Sequence, residues 1–160
     1  MSIEKVTAHL EGFGLADRII IPESSSATVS EAAAALGCSE AEIAKTMSFT
    51  VDGAPIIIVM AGDAKTDNSK YKAFFHTKAV MIKPEEVEGL LGHPVGGVCP
   101  FALPEGVPVY LDESLRRFDI VYPAAGTRNS AVKLTVSELE RASGTKEWID
   151  IAKGWQGDGN

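Results

Sequence analysis

The sequence has little of what holds metals or staples small folds: two cysteines and three histidines in 160 residues. Cys38 and Cys99 are too few for a disulfide-stapled secreted scaffold and are not spaced as a metal-binding pair. His9, His76 and His93 stand in unrelated local contexts without ligand spacing, so neither a metal nor another cofactor is expected. No apolar run approaches the roughly 20 residues needed to span a bilayer. The start, Met1-Ser2-Ile3-Glu4-Lys5, lacks the basic and apolar stretches of a signal peptide, so a cytoplasmic protein with no membrane partner is expected. Basic residues are also scarce relative to acids, giving a formal charge of −7 and a pI of about 5.0. Proteins that grip long nucleic-acid backbones do so with Lys and Arg, so DNA and extended duplexes are excluded as partners. A protein that inspects only the last nucleotides of an RNA needs few phosphate contacts and stays within reach.

What is present is an ordinary globular balance, 45% hydrophobic and 23% charged. The length suits one core, expected over residues 1–153, with a frayed polar tail over 154–160. Ile3, Val6, His9, Leu10 and Phe13 recur at helical steps before Gly14, predicting an opening helix. Arg18–Ile21 reads as a short strand ended by Pro22, followed by a polar loop over Glu23–Ser26. Ser30 can cap a helix over Glu31–Leu36, and Ser39 one over Glu40–Ala44. Met47–Val51 and Ala54–Ala61 flank Asp52-Gly53, a dipeptide suited to a tight hairpin. Asp67 caps a predicted helix through Phe75, and Lys83-Pro84-Glu85-Glu86 opens another to Leu91. Glycine and proline crowd the stretch from Gly92 to Pro108, which predicts a shaped loop. Val109–Leu111, Asp119–Tyr122 and Ala131–Thr135 read as strands, and Val136–Ala142 as a helix. Hairpins interleaved with single helices predict a mixed α/β, α+β-like domain rather than repeated βαβ units.

Three stretches could carry chemistry. Lys45 sits where a short helix meets a hairpin strand, followed by Thr46; an ordinary solvated lysine is the plain alternative. Gly96-Gly97-Val98-Cys99-Pro100-Phe101 can turn backbone amides toward one point and hold an oxyanion, or can simply close the core. Ala124-Ala125-Gly126-Thr127-Arg128-Asn129-Ser130 can bind a phosphate or ribose, or be a hairpin loop. Asp63, Lys65 and Asp67 are ligand contacts on one view and turn or cap residues on the other. A Cys99–histidine thiol mechanism is open if a histidine lies near in space.

Lys45-Thr46 after a short helix, then the Gly96-Gly97 loop with Pro100-Phe101, then Gly126-Thr127-Arg128 before Val132-Lys133-Leu134, resemble in order and spacing the YbaK/ProX family. That family includes free-standing aminoacyl-tRNA deacylases and is similar to the editing domain inserted in bacterial prolyl-tRNA synthetases. The likeness runs over about Ile3 to Ala142. It implies a mixed, barrel-like sheet flanked by helices, and hydrolysis in trans of the ester on tRNAs misacylated with a small amino acid such as Ala, Cys or Ser. The partners it implies are the mischarged acceptor end of tRNA and an aminoacyl-tRNA synthetase.

By the same resemblance the family's functional lysine falls on Lys45 and its Gly-x-x-x-Pro motif on Gly96 and Pro100. The catalytic set is then Lys45, Gly96 and Gly97. Thr46, Asp63, Val98, Cys99, Pro100, Phe101, Gly126, Thr127 and Arg128 contact substrate. No protein nucleophile is required, since water or a group of the substrate can attack. The loop departs from the Ser-Pro-Ile-Gly and Thr-Pro-Phe-Gly versions common in the family, reading Cys99-Pro100-Phe101-Ala102. A binding module of the same fold without turnover is the competing reading.

Overall fold

A computed structural model describes residues 2–23 and 28–155. Helix α1 (Ser2–Glu11) opens the chain and buries Val6 and Leu10. A 3₁₀ turn at Ala16–Arg18 leads to β1 (Ile19–Ile20), shorter than the predicted strand. Most of the polar loop expected next, residues 24–26, lies outside the described residues, as do residues 156–160 of the expected tail.

Helix α2 (Val29–Leu36) is capped by Thr28, not by Ser30. The Thr28 hydroxyl accepts from the Glu31 amide while the Glu31 carboxylate reaches back to the Thr28 amide, a reciprocal box that Ser30, one residue before Glu31, cannot form. Gly37 ends the helix in the left-handed conformation, φ 70°. Ser39 forms the same kind of box with Glu42, but the helix it starts is one 3₁₀ turn, Glu40–Glu42. Ile43 and Ala44 belong instead to β2 (Ile43–Val51), because Ala44 finds strand partners on both sides, Ala61 and Pro123.

β2 pairs antiparallel with β3 (Ala54–Ala61) from Ala44↔Ala61 to Val51↔Ala54. Asp52 and Gly53 turn the hairpin with φ of 53° and 82°, the double positive φ of a two-residue loop. β3 is the centre of the molecule, with Ile57 to Ala61 all fully buried, and its unbroken apolar run is what a strand covered on both faces requires. β4 (Lys65–Thr66), α3 (Asn68–Phe75, capped by Asp67) and β5 (Val80–Met81) follow. Tyr71 of α3 is fully buried between Phe49 and Phe75, with ring centroids 5.2 and 4.6 Å away. Helix α4 (Pro84–Leu91) carries proline in its first turn and ends at Gly92.

Beyond the glycine- and proline-rich loop come β6 (Val109–Asp112), a 3₁₀ turn at Glu113–Arg117 and β7 (Ile120–Pro123). The strand predicted over Ala131–Thr135 is broken at Lys133 into β8 (Ala131–Val132) and β9 (Leu134–Thr135), which pair with β1 and β7 respectively. Helix α5 (Val136–Ser143), β10 (Glu147–Ile149) and β11 (Ala152–Lys153) complete the chain. The main sheet runs β10-β6-β3-β2-β7-β9, with β5 also on β2, and mixes parallel with antiparallel pairs. The domain is mixed α/β as predicted, and its sheet is a curled half-barrel flanked by helices.

The feature that positions the site is a fork in this sheet. One edge of β2 is paired with β3 along its length. The other edge pairs with β7 only at Ile43 and Ala44 and with β5 only at Phe49 and Thr50. Between them, apart from the Ile82 amide bound to the Ser48 carbonyl at 3.1 Å, the edge meets no strand among the described residues.

Candidate functional site

The fork opens into a cleft of about 280 Å³. β2 supplies Ile43, Ala44, Lys45, Thr46 and Ser48. One wall comes from the start of α2 (Thr28, Val29, Ala32) and the opposite one from β5 and α4 (Met81, Ile82, Pro84, Val87). Val95, Gly96 and Val98 close the end, with Tyr122, Ala124, Ser130 and Ala131 beside them. The walls are mostly apolar, and no carboxylate or histidine lines the cleft among the described residues.

Lys45 is its cation. The side chain is half-buried and makes no hydrogen bond or ion pair among the described residues. Burial pushes the ammonium below the usual lysine range; the nearby Asp63 carboxylate works against that shift and Lys65 adds to it. An amine held in this way, desolvated and without a partner, is available to an anionic or carbonyl oxygen entering the cleft.

The two glycines of the turn are required for different reasons, and of the two only Gly96 lines the cleft. Gly96 sits at φ 90°, a conformation that side chains disfavour. A Cβ on Gly97 would lie 2.7 Å from backbone atoms of Gly126 and Thr127, so the loops touch backbone to backbone. The Gly97 amide is already spent, donating to the Pro94 carbonyl at 2.9 Å in a tight turn. The amides of Gly96 and Val98, both of which line the cleft, carry no such bond among the described residues.

The remaining predicted contacts fall into two groups. Thr46 and Val98 line the cleft with Lys45 and Gly96. The others do not. Gly126, Thr127 and Arg128 brace the Gly96 loop from behind: Thr127 bonds Ser130 through its hydroxyl at 2.6 Å, and Arg128 Nε donates to the Val95 carbonyl at 3.1 Å. Asp63 is held outside the cleft by two contacts with Arg117. Cys99, Pro100 and Phe101 are buried in the core beneath the loop.

A histidine does lie near Cys99: the sulfur is 3.6 Å from His93 Nε2. That nitrogen carries its proton toward the Phe101 carbonyl at 2.7 Å, while Nδ1 accepts from the Ser2 hydroxyl. It therefore has no lone pair to offer the thiol. Burial pushes the Cys99 thiol up to about 12 and holds the His93 imidazole below its usual value, so neither group is poised for nucleophilic work. His9 has a structural role too, donating from Nε2 to the Ala142 carbonyl at 2.7 Å and accepting the Ala102 amide through Nδ1 at 3.2 Å. Ala102, where glycine is common in the resembling loops, takes up a left-handed φ of 53° under that restraint.

Sequence reasoning missed Ser48 and Tyr122 of the lining, while Ser130 lay at the end of the third candidate stretch without being singled out. Ser48 had a usable signal, two residues beyond Thr46 on a strand and so on the same face. It also missed Gly62, where a Cβ would lie 1.9 Å from the Glu40 carbonyl oxygen and would drive the 3₁₀ turn away from β3.

The site is thus a cleft in a forked α/β half-barrel, lined by one lysine and by Gly96 and Val98 of a glycine turn. Residues 23–142 match the aminoacyl-tRNA editing domain, and the chain belongs to that family. The uncharacterized protein YwhH of Bacillus subtilis is 47% identical over 157 residues, covering 98% of this chain and 100% of that one. The proline–tRNA ligase of Streptococcus suis is 25% identical over 132 residues, which cover 82% of this chain and 21% of the ligase. A solved structure of a protein proposed as a trans-editing enzyme for prolyl-tRNA synthetase superposes with a TM-score of 0.86 at 28% identity, covering 96% of this chain and 98% of the other.

Proposed function

We propose that the protein is an aminoacyl-tRNA deacylase acting in trans, which hydrolyses the ester of tRNAs misacylated with a small amino acid. The observation that carries this reading is that one cleft at an open sheet edge is lined both by Lys45, desolvated and without a hydrogen bond among the described residues, and by Gly96 and Val98, whose amides make no backbone hydrogen bond among the described residues. The two amides receive the carbonyl oxygen as it becomes an oxyanion, and Lys45 holds an anionic or carbonyl oxygen of the acceptor end. Water or a neighbouring group of the substrate attacks. An aminoacyl ester is already activated, so positioning and charge stabilisation are the contributions asked of the protein. The need for such a step is physical: a synthetase pocket rejects an amino acid one methylene smaller by only about 1–3 kcal/mol, and a second sieve supplies the missing discrimination.

Branched and bulky side chains in the walls, Val29, Ile43, Met81, Val87 and Val98, leave space for a small aminoacyl group. The macromolecular partner is the acceptor end of tRNA, delivered free or by a synthetase. The test is release of amino acid from a panel of tRNAs carrying Ala, Cys, Ser, Thr or Pro. Turnover of one or two small amino acids supports the reading, and a folded protein that releases none leaves a binding module in its place.

A further inference from the structure

Two hydroxyls that β2 contributes to the cleft have no hydrogen-bond partner among the described residues. Thr46 Oγ1 is buried from solvent and makes no hydrogen bond. Ser48 is 7% exposed and its hydroxyl makes no side-chain hydrogen bond among the described residues. Both line the cleft on β2, and with a period of two their side chains share one face of the strand. Among the other lining hydroxyls, Ser130 is engaged by Thr127 and Thr28 by the Glu31 amide. An unpaired buried hydroxyl costs stability, so the free protein carries a penalty that a bound polar group can remove.

From this pair, and resting on the deacylase reading above, we propose that Thr46 and Ser48 form the receptor for the α-ammonium group of the aminoacyl ester. Every aminoacyl ester carries that cation, the lining has no carboxylate to pair with it, and these hydroxyl oxygens are unoccupied acceptors. Strand alternation puts Lys45 on the opposite face of β2 from the pair. The like charges of Lys45 and the substrate ammonium are thereby kept apart, with the oxygens of the ester directed to Lys45 and the amino group to the hydroxyls. The two residues are substrate-binding and orienting groups and take no part in bond breaking.

The test uses Thr46→Val, which keeps shape and removes the hydroxyl, and Ser48→Ala, each in the full chain. Substrates are an aminoacyl-tRNA that the wild type turns over and its N-acetylated counterpart, whose nitrogen carries no charge. In the free protein Thr46→Val is expected to raise the melting temperature by about 2–4 °C, as removing an unsatisfied polar group from a domain of this size does. The same variant is expected to raise KM for the free-amine substrate about tenfold or more and to erase the wild type's preference for it over the acetylated one. Ser48→Ala is expected to act in the same direction. A variant that keeps the wild-type KM and the preference overturns the proposal, as does a wild type that hydrolyses both substrates equally well. Turnover by the wild type is scored separately, so loss of the deacylase reading is distinguishable from loss of this one.

Discussion

Asp63 and Arg117, far apart in the chain, are joined by a two-pronged ion pair, with Arg117 Nη2 2.6 Å from Asp63 Oδ1 and Nη1 3.0 Å from Oδ2. The guanidinium also donates to the carbonyls of Ser114 and Trp155 and lies 4.7 Å from the ring centroid of Phe118. Asp63 is the carboxylate whose charge reaches Lys45, so the pair holds a competing anion away from the cleft's cation. Arg117→Met is expected to free Asp63 to pair with Lys45 and to depress deacylation, and Asp63→Asn in the same background to restore it. Both partners are partly exposed, so the stability lost with Arg117→Met is about 1 kcal/mol or less. Equal activity in wild type and Arg117→Met removes this role for the pair.

Lys45 makes a second prediction, about stability and pH. Burial lowers its folded-state pKa relative to an unfolded lysine, so the folded state binds this proton less well. The penalty is full at neutral pH and disappears as pH rises through the folded value toward the ordinary 10.5. Lys45→Met is therefore expected to be at least as stable as the wild type at pH 7, with an advantage that shrinks on the alkaline side. Denaturant titrations across that range check the sign.

Cys99 is expected to be dispensable for chemistry. Cys99→Ala should retain deacylation, and the native thiol should resist a disulfide reagent that labels it on unfolding, as a fully buried thiol pushed up to about 12 requires. Loss of activity in a folded Cys99→Ala protein would return the thiol mechanism to consideration.

Ala102→Gly should stabilise the fold by up to about 1 kcal/mol, because the left-handed φ of 53° is free of steric cost for glycine and costs alanine about that much. Thermal unfolding reads it directly. A destabilised variant would mean that the alanine methyl packs usefully enough to outweigh the backbone term.

The longer elements were legible in the sequence because each carries a local instruction. The Asp52-Gly53 turn, the Asp67 cap and the Pro84 first turn were all read correctly. Errors cluster where local instructions compete or are absent. Thr28 and Ser30 are both good caps, and the three-residue spacing to Glu31 decides between them. Ile43 and Ala44, read as the end of the helix that Ser39 starts, take strand form with their partners, Ala61 on one side and Tyr122 and Pro123 on the other, a state that the β-branched Ile43 favours. β4, β5, β10 and β11 are too short for a period to show, and Lys65↔Lys153 or Glu147↔Tyr110 are pairings across distant parts of the chain. The cleft follows the same logic. Lys45, Thr46, Gly96 and Val98 could be named from motif order and Ser130 fell within a candidate loop, but Tyr122 enters the cleft only because β2 is forked between β5 and β7. Asp63 looked like a ligand contact because Arg117, its partner, lies far along the chain.

The measurement closest to the central claim is single-turnover deacylation of one small-amino-acid tRNA by the wild type and by Lys45→Ala, with folding of both verified. The account predicts rapid release by the wild type and a loss of roughly a hundredfold or more in the variant, the scale on which removing one charge-stabilising group acts. Equal rates in the two proteins would contradict it, because they would leave the cleft's unpaired cation without a part in the reaction.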